Sequence, residues 1–250
     1  MCLKLLPAHP GALDSLAVAL RHAGRARAAE LVLARGAGRG LWPSPYQRPA
    51  HHAANLTARP LWAAGALPGL ERLARRTAAF GRELAVELAR RADALVVRQA
   101  EGLARRLPGA PGDDWGWDEV ALLKHGEVPD ARVAARFAET LAAVRAAGAF
   151  FNAKFSILQP GTEILPHCGP SNARLRAHVT VAAAAGASLR VGAPDAKRVE
   201  WGAAPLVFDD SFEHDVIHEG ADPRIVLVLD AWHPELPPER RRFELYGRLS

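Results

Sequence analysis

Cysteine, methionine and lysine are all scarce in this 250-residue chain: two Cys, one Met and four Lys. Cys2 and Cys168 are too few for a disulfide framework or a cysteine-rich zinc site, and a reduced, cytoplasmic location is the expectation. No uninterrupted apolar run approaches the roughly 20 residues that span a bilayer. Residues 1–7 carry a short apolar patch broken by Pro7, without the pattern of a secretory signal, so no membrane partner is expected. The net charge is +5, and 28 of the 32 basic residues are Arg. These arginines are scattered through helix-like stretches such as residues 73–76 and 88–91. A nucleic-acid binder calls for basic runs interleaved with aromatics, so the excess is read as a coding bias and no nucleic-acid partner is expected.

The apolar fraction is 49% and the charged fraction 24%, which fits one large folded domain with a helical attachment. No internal repeat is visible. Residues 13–35 have helical spacing interrupted by Gly24, giving a short hairpin in residues 1–39 that reads as the remnant of a helical repeat. Residues 40–62 hold Pro43, Pro45, Pro49 and Pro60 among Trp42, Tyr46 and Trp62, and predict irregular backbone pinned by aromatics. A helical pattern runs over 67–107, broken near Ala94 and Leu95, and stops at Pro108, and Asp130 can cap a further helix ending at Gly148. Strands follow at 151–158, 163–167, 174–183, 188–191, 198–201, 205–208, 214–218 and 224–231. The expected fold is α+β with a mainly β core: an antiparallel jelly-roll barrel over residues 150–235, a helical cover over 40–149 and a tail over 236–250.

Five of the ten histidines fall in the strand-rich half. His167 closes one strand before a turn, and His214 opens another. Two imidazoles from separate strands suit a non-haem iron site with open positions. The usual carboxylate two residues after the first histidine is replaced by Gly169. Three readings stay open: two histidines alone hold a metal, Asp209 or Asp210 substitutes, or both histidines simply cap turns. Period two places Arg174, Arg176 and His178 on one strand face. Buried, three such cations would call for anions in the cavity; on a solvated face they would need none.

Residues 155–178, the segment Phe208-Asp-Asp-Ser-Phe-Glu-His-Asp-Val216 and residues 224–236 closely resemble the aspartyl/asparaginyl β-hydroxylases. A weaker likeness extends to 117–126 and 40–62. The resemblance implies a double-stranded β-helix oxygenase, placed at residues 40–250, that uses Fe(II), 2-oxoglutarate and O2, with ascorbate as reductant. It resolves the missing carboxylate, since that family holds iron through two histidines with Gly at the usual acid position. His167 and His214 match the metal ligands. Ser156 and Arg224 match positions that hold the distal carboxylate of 2-oxoglutarate, while Arg176 and His178 match positions at its metal-chelating end. Asp210 matches a catalytic-site carboxylate that orients a ligand or metal-bound water, and Arg174 a position near the substrate.

The implied substrate is an Asp or Asn residue of a peptide or protein, hydroxylated at its β-carbon, or a related small acidic metabolite. The larger animal members carry a membrane anchor and a helical-repeat domain and act on epidermal-growth-factor-like domains. Here the segment 108–118 lacks Arg, and Glu119 stands where a neutral amide is expected. A non-catalytic metal- or carboxylate-binding barrel and a basic helical module binding anionic polymers are the competing readings. Cys168 reads as a turn residue rather than a nucleophile, His218 and His233 as surface or packing residues, His51 and His52 as a polar loop with a stray metal site as the alternative, and residues 232–236 as packing for the last strand against the helices.

Overall fold

The computed structural model describes residues 9–90, 92–99, 103–110, 114–183 and 185–243; Cys2, the amino-terminal patch and the end of the tail lie outside them. Helix α1 (Pro10–His22) starts with Pro at its first position, and the His9 side chain accepts from the Ala12 N–H. Gly24, at φ 71°, reverses the chain into α2 (Ala26–Gly38). Leu13, Ala17, Ala29 and Leu33 close this hairpin around Trp42. Charge ties it to the rest of the molecule: buried Glu213 takes both Arg21 of α1 (2.9 Å) and Arg48 (2.9 Å), and Arg48 also reaches Asp14 of α1 (2.9 Å).

Among the described residues, twelve strands build two antiparallel sheets. The first four are β1 (Leu61–Trp62), β2 (Val97–Arg98), β3 (Ala104–Arg106) and β4 (Trp117–Leu123). The barrel proper comprises β5 (Phe150–Leu158), β6 (Thr162–His167), β7 (Arg174–Ala182), β8 (Ala187–Val191), β9 (Val199–Glu200), β10 (Leu206–Phe208), β11 (His214–His218) and β12 (Arg224–Trp232). The larger sheet has the order β1-β10-β7-β12-β5-β4-β2 and the smaller β3-β6-β11-β8-β9. Successive strands from β5 to β8 alternate between the sheets, which is the winding of a double-stranded β-helix.

Helices α3 (Leu70–Ala74), α4 (Thr77–Leu88), α5 (Ala131–Arg136) and α6 (Ala138–Ala147) accompany the larger sheet. Alternation decides which side chains meet them. Ala153, Phe155, Ile157, Leu175, Ala177, Val179, Leu227 and Leu229 join the helices in one apolar core. The intervening residues face the smaller sheet, where Leu158, Val226 and Val228 pack with Ile164, Leu189 and Val216. With both faces covered, the central strands need not alternate polar and apolar residues, and β12 is apolar from Ile225 to Leu229.

The expected strands of the barrel are all present within about a residue at either end. The helical cover is more mixed than residues 67–107 predict. Among the described residues only α3 and α4 are helical there; β2 pairs with β4 and β3 with β6. Open sheet edges supply backbone partners that outweigh helical propensity in this stretch. Strand β4 also falls inside the expected cover: its Asp118 and Glu119 disguise it, but it pairs along β5 and is buried on most of its length. Asp130 does cap a helix, accepting from Arg132 N, and left-handed Gly148 ends the second of two helices. Phe137 interrupts the run and packs its ring 5.6 Å from Phe155. Leu236 packs with Ala53 and Ala173, so the 232–236 end meets the irregular segment rather than the helices. Among the described residues, no helix is long and apolar enough to cross a membrane.

Phe155 is wholly buried at the centre of β5, between β4 and β12. Phe155→Ala should cost about 3–5 kcal/mol of stability by removing a large core side chain, measured by urea denaturation; a loss below about 1 kcal/mol would mean that the core refills.

Candidate functional site

The site begins with a register. His167 at the end of β6 and His214 at the start of β11 are directly opposed in the smaller sheet, with ring centroids 4.2 Å apart. Each ring is oriented by a backbone carbonyl two residues earlier: His167 Nδ1 lies 2.7 Å from Leu165 O, and His214 Nδ1 2.9 Å from Phe212 O. A carbonyl can only accept, so each Nδ1 carries the proton and each Nε2 keeps its lone pair. Burial lowers both imidazoles below their ordinary range, His214 to about 3 with His167 adding to the effect. Both are therefore neutral at pH 7, the form that ligates a metal.

Gly169 follows at the turn, and its missing side chain has a steric cause. A Cβ at this position would sit 2.5 Å from Cγ and Oδ2 of Asp210. The Asp210 carboxylate fills the space from which a third ligand would extend, and it is engaged elsewhere: Arg174 Nη2 donates to it at 2.9 Å and Arg176 Nη1 lies at 3.2 Å. Asp230 completes the cluster, 2.8 Å from Arg176 and 3.2 Å from Arg174, and Asn152 Nδ2 donates to it at 3.1 Å. Burial would raise both aspartates, but the two guanidinium groups outweigh it and hold them below the usual carboxylate range. Reciprocally, burial would lower Arg176, and Asp230 with Asp210 raises it. Two buried cations and two buried anions leave this wall neutral.

Arg224 is different. It opens β12, is 1% exposed, and forms no ion pair among the described residues. Its guanidinium carbon lies 4.8 Å from the centroid of the Trp201 ring, its Nε lacks a hydrogen-bond partner, and Nη2 reaches Ser156 Oγ only at 3.5 Å. Burial pushes its pKa down to about 9, with Glu119 opposing. Ser156 Oγ accepts from Trp117 Nε1 at 3.0 Å, leaving its own proton free for another acceptor. His178 Nδ1 accepts from Trp201 Nε1 at 3.1 Å, so the neutral ring carries its proton on Nε2. Burial, then Arg224 and Arg176, drive His178 well below its ordinary value.

His167, His214, Ser156, Arg176, His178 and Arg224 all line one cavity of about 440 Å³ between the sheets, with Ile164, Leu189, Val216 and Val228 as its apolar wall. The donor set fits a divalent metal held by two Nε2 atoms, and the unmatched Arg224 beside a free hydroxyl proton fits one carboxylate of an anionic ligand. Among the described residues no three His, Cys, Asp or Glu gather as a metal site, so Asp209 and Asp210 do not join the two histidines as a third ligand. Asp209 instead accepts from Ser211 N, and burial raises it to about 7.

Six of the eight residues singled out in the sequence line the cavity; Arg174 and Asp210 stand behind its wall in the ion cluster. The reading in which buried Arg174, Arg176 and His178 call for anions in the cavity needs correction, because Asp210 and Asp230 balance the two arginines and His178 is neutral. Asp230 was missed, although the alternation that places Arg224, Val226 and Val228 inward places Asp230 with them. Trp201 and Trp117 carry no such signal. Cys168 sits beside Arg48 with its thiol pushed up to about 12 by burial, as suits a turn residue rather than a nucleophile. His218 and His233 are buried and hydrogen-bonded to backbone groups, whereas His51 and His52 are exposed.

The family profile described as aspartyl/asparaginyl beta-hydroxylase matches residues 88–234. The chain is 46% identical over 90 residues to the human aspartyl/asparaginyl beta-hydroxylase, which covers 36% of this chain and 12% of that protein. It is 41% identical over 96 residues to the human aspartate beta-hydroxylase domain-containing protein 2, covering 37% of this chain and 26% of the relative. The match therefore spans about an eighth to a quarter of the length of these curated relatives. Among solved structures, a Pseudomonas putida prolyl-4-hydroxylase aligns at 14% identity with a TM-score of 0.41, over 65% of this chain and 86% of that one.

Two outcomes test this geometry. Gly169→Ala should destabilise by about 1–3 kcal/mol through overpacking against Asp210, and urea denaturation of Gly169→Ala/Asp210→Ala should show strong non-additivity, because both changes act at one contact. Additive losses would place the clash elsewhere. The second is pH. The unfolded chain takes up a proton at His214 below pH 6.5, whereas the folded site resists until about pH 3. Stability from this group is thus complete above pH 6.5 and lost on acidification, by about 2 kcal/mol between pH 7 and 5. Metal-free His214→Gln protein should lose that much of the pH dependence; an unchanged dependence would mean that the buried ring is charged.

Proposed function

The chain belongs to the aspartyl/asparaginyl β-hydroxylase family, and from that membership we propose that its barrel is an Fe(II)- and 2-oxoglutarate-dependent dioxygenase acting on the β-carbon of Asp or Asn residues in a peptide or protein, or on a related small acidic substrate. The observation that carries the reading is a pair of opposed neutral histidines with free Nε2 atoms in the same cavity as an unmatched buried arginine.

His167 and His214 would hold iron through Nε2, with the carbonyls of Leu165 and Phe212 fixing ring orientation. Arg224 and the Ser156 hydroxyl would hold the distal carboxylate of 2-oxoglutarate, replacing an unsatisfied guanidinium with a charge-assisted pair. His178 would donate from Nε2 to the opposite, metal-facing end, and Arg176 would add its cation there while Asp230 and Asp210 keep it in place. Bound iron with 2-oxoglutarate and O2 would supply the oxidant that converts C–H to C–OH while the cosubstrate leaves as succinate and carbon dioxide. The protein's own work is orientation and exclusion of water: Ile164, Leu189, Val216 and Val228 make the cavity wall apolar, and Asp210 fills the position of a third ligand without adding one. With neutral ligands only, the metal would take its negative charge from the cosubstrate.

Purified protein with Fe(II), ascorbate and 2-oxoglutarate should form succinate in the presence of an Asp- or Asn-containing peptide, with a mass gain of one oxygen on that peptide. His214→Ala should reduce turnover by at least about 1,000-fold in folded protein. Arg224→Ala should raise the 2-oxoglutarate KM by roughly 100-fold, the loss of a charged hydrogen-bonded contact of about 1.5–3 kcal/mol. Normal turnover in folded His214→Ala protein would refute the metal assignment, and tight 2-oxoglutarate binding without succinate from any substrate would favour a carboxylate-binding barrel.

A further inference from the structure

A second cavity, of about 560 Å³, adjoins the first on the inner face of the larger sheet, and the two share Glu119, Lys154, Arg176 and Val228 in their walls. Asn152, Asp230 and, at the rim, Lys124 complete its polar lining. A molecule placed there stands next to the proposed cofactor cavity with only these side chains between.

The charges of this recess differ from those of its neighbour. Lys154 Nζ lies 2.6 Å from Glu119 Oε1, and Arg176 is shared between Asp230 and Asp210. Each of these two cations already has a carboxylate of the protein's own, whereas Arg224 in the inner cavity has none. Lys124 stands at the exposed rim, where solvent screens it, and it too is engaged. A carboxylate entering this recess must lie close to Glu119 and Asp230 or displace one of them from its cation. A primary carboxamide meets no such opposition: its carbonyl accepts from Lys154 or Arg176, and its NH2 donates to Glu119 or Asp230.

We infer that Glu119 is a specificity-determining residue that gives Lys154 its counter-charge and selects an asparagine-type carboxamide over an aspartate carboxylate, which rests on the oxygenase reading for the recess being the substrate's. Glu119 is placed for this by β4, where it is opposed to Ser156 of β5 and is 9% exposed. Removing its charge leaves Lys154 as an unmatched cation facing the recess, the condition that favours a carboxylate.

The test is equilibrium binding of N-acetyl-L-asparagine methylamide and N-acetyl-L-aspartate methylamide to the full chain at pH 7.5, under nitrogen with Fe(II) and 2-oxoglutarate. The carboxamide should bind at least tenfold tighter to the natural protein. Glu119→Gln should reduce that ratio at least tenfold, with the aspartate derivative gaining affinity, and Lys154→Gln, which leaves Glu119 without its cation, should increase it. Preference for aspartate in the natural protein, a ratio unmoved by Glu119→Gln, or no binding of either probe would each overturn the inference. Succinate formation after O2 is admitted to the same preparations separates the two readings: active enzyme that prefers aspartate ends the inference alone, whereas selective carboxamide binding without succinate from any substrate ends the oxygenase reading.

Discussion

Two arginines and two aspartates, buried except for the part-exposed Arg176, set the terms for the rest of the barrel. Arg174 and Arg176 project from one strand of the larger sheet, Asp230 from the neighbouring strand in register with Arg176, and Asp210 from the loop that leads to His214. Isolated, any one of these charges would be costly to bury; together they satisfy one another. Their arrangement has a steric consequence at the turn after His167, because the Asp210 carboxylate reaches the space in front of Gly169 and no side chain can grow there. The absence of a carboxylate ligand is thus tied to the way the wall is neutralised. A change at either end would disturb the other.

Against that neutral wall, the isolation of Arg224 gains its meaning. A protein that can balance four buried charges a few residues away leaves this guanidinium over Trp201 with an unpartnered Nε and a weak contact to Ser156. The cost is visible as a pKa pushed down to about 9. Perturbed, buried and unmatched groups in a cleft are where binding sites are found, since the ligand supplies what the fold withholds. His178 points the same way: Trp201 fixes one ring nitrogen as an acceptor, so that the other is a donor into the cavity. One indole therefore conditions both residues, by its ring face toward Arg224 and its N–H toward His178.

How much of this was legible in sequence depended on whether the signal was local. The barrel strands were, because short runs bounded by turn residues follow one another after Phe150, and the opposed histidines and Arg224 stand in ordered segments that resemble a known family. Strand β4 was not: it lies inside the expected helical cover, and its acidic pair Asp118 and Glu119 masks it until pairing with β5 buries it. The stretch after Leu88 misled in the opposite sense, since its helical spacing gave way to edge pairing that only the assembled sheets make available. Asp230 was within reach of period-two reasoning from Arg224, but its partners are on other strands, and pairing between distant charges leaves no mark on the local sequence.

Strand β11 explains how the helical hairpin and the site can depend on each other. Glu213 and His214 are adjacent, and alternation turns them to opposite sides: the imidazole enters the cavity, while the carboxylate takes Arg21, Arg48 and Arg190. Burial would raise Glu213, but Arg48 and Arg21 hold it below its ordinary value. Its backbone N–H donates to Tyr46 O at 2.7 Å, and the preceding Ser211 carbonyl accepts from Arg48 N at 3.2 Å. The loop carrying Asp210 into His214 is thereby clamped from outside by the irregular segment and the hairpin, and from inside by Arg174 and Arg176. A histidine presented at the first residue of a strand has little regular backbone before it to hold its angle, and this two-sided clamp supplies the rigidity that the strand itself does not.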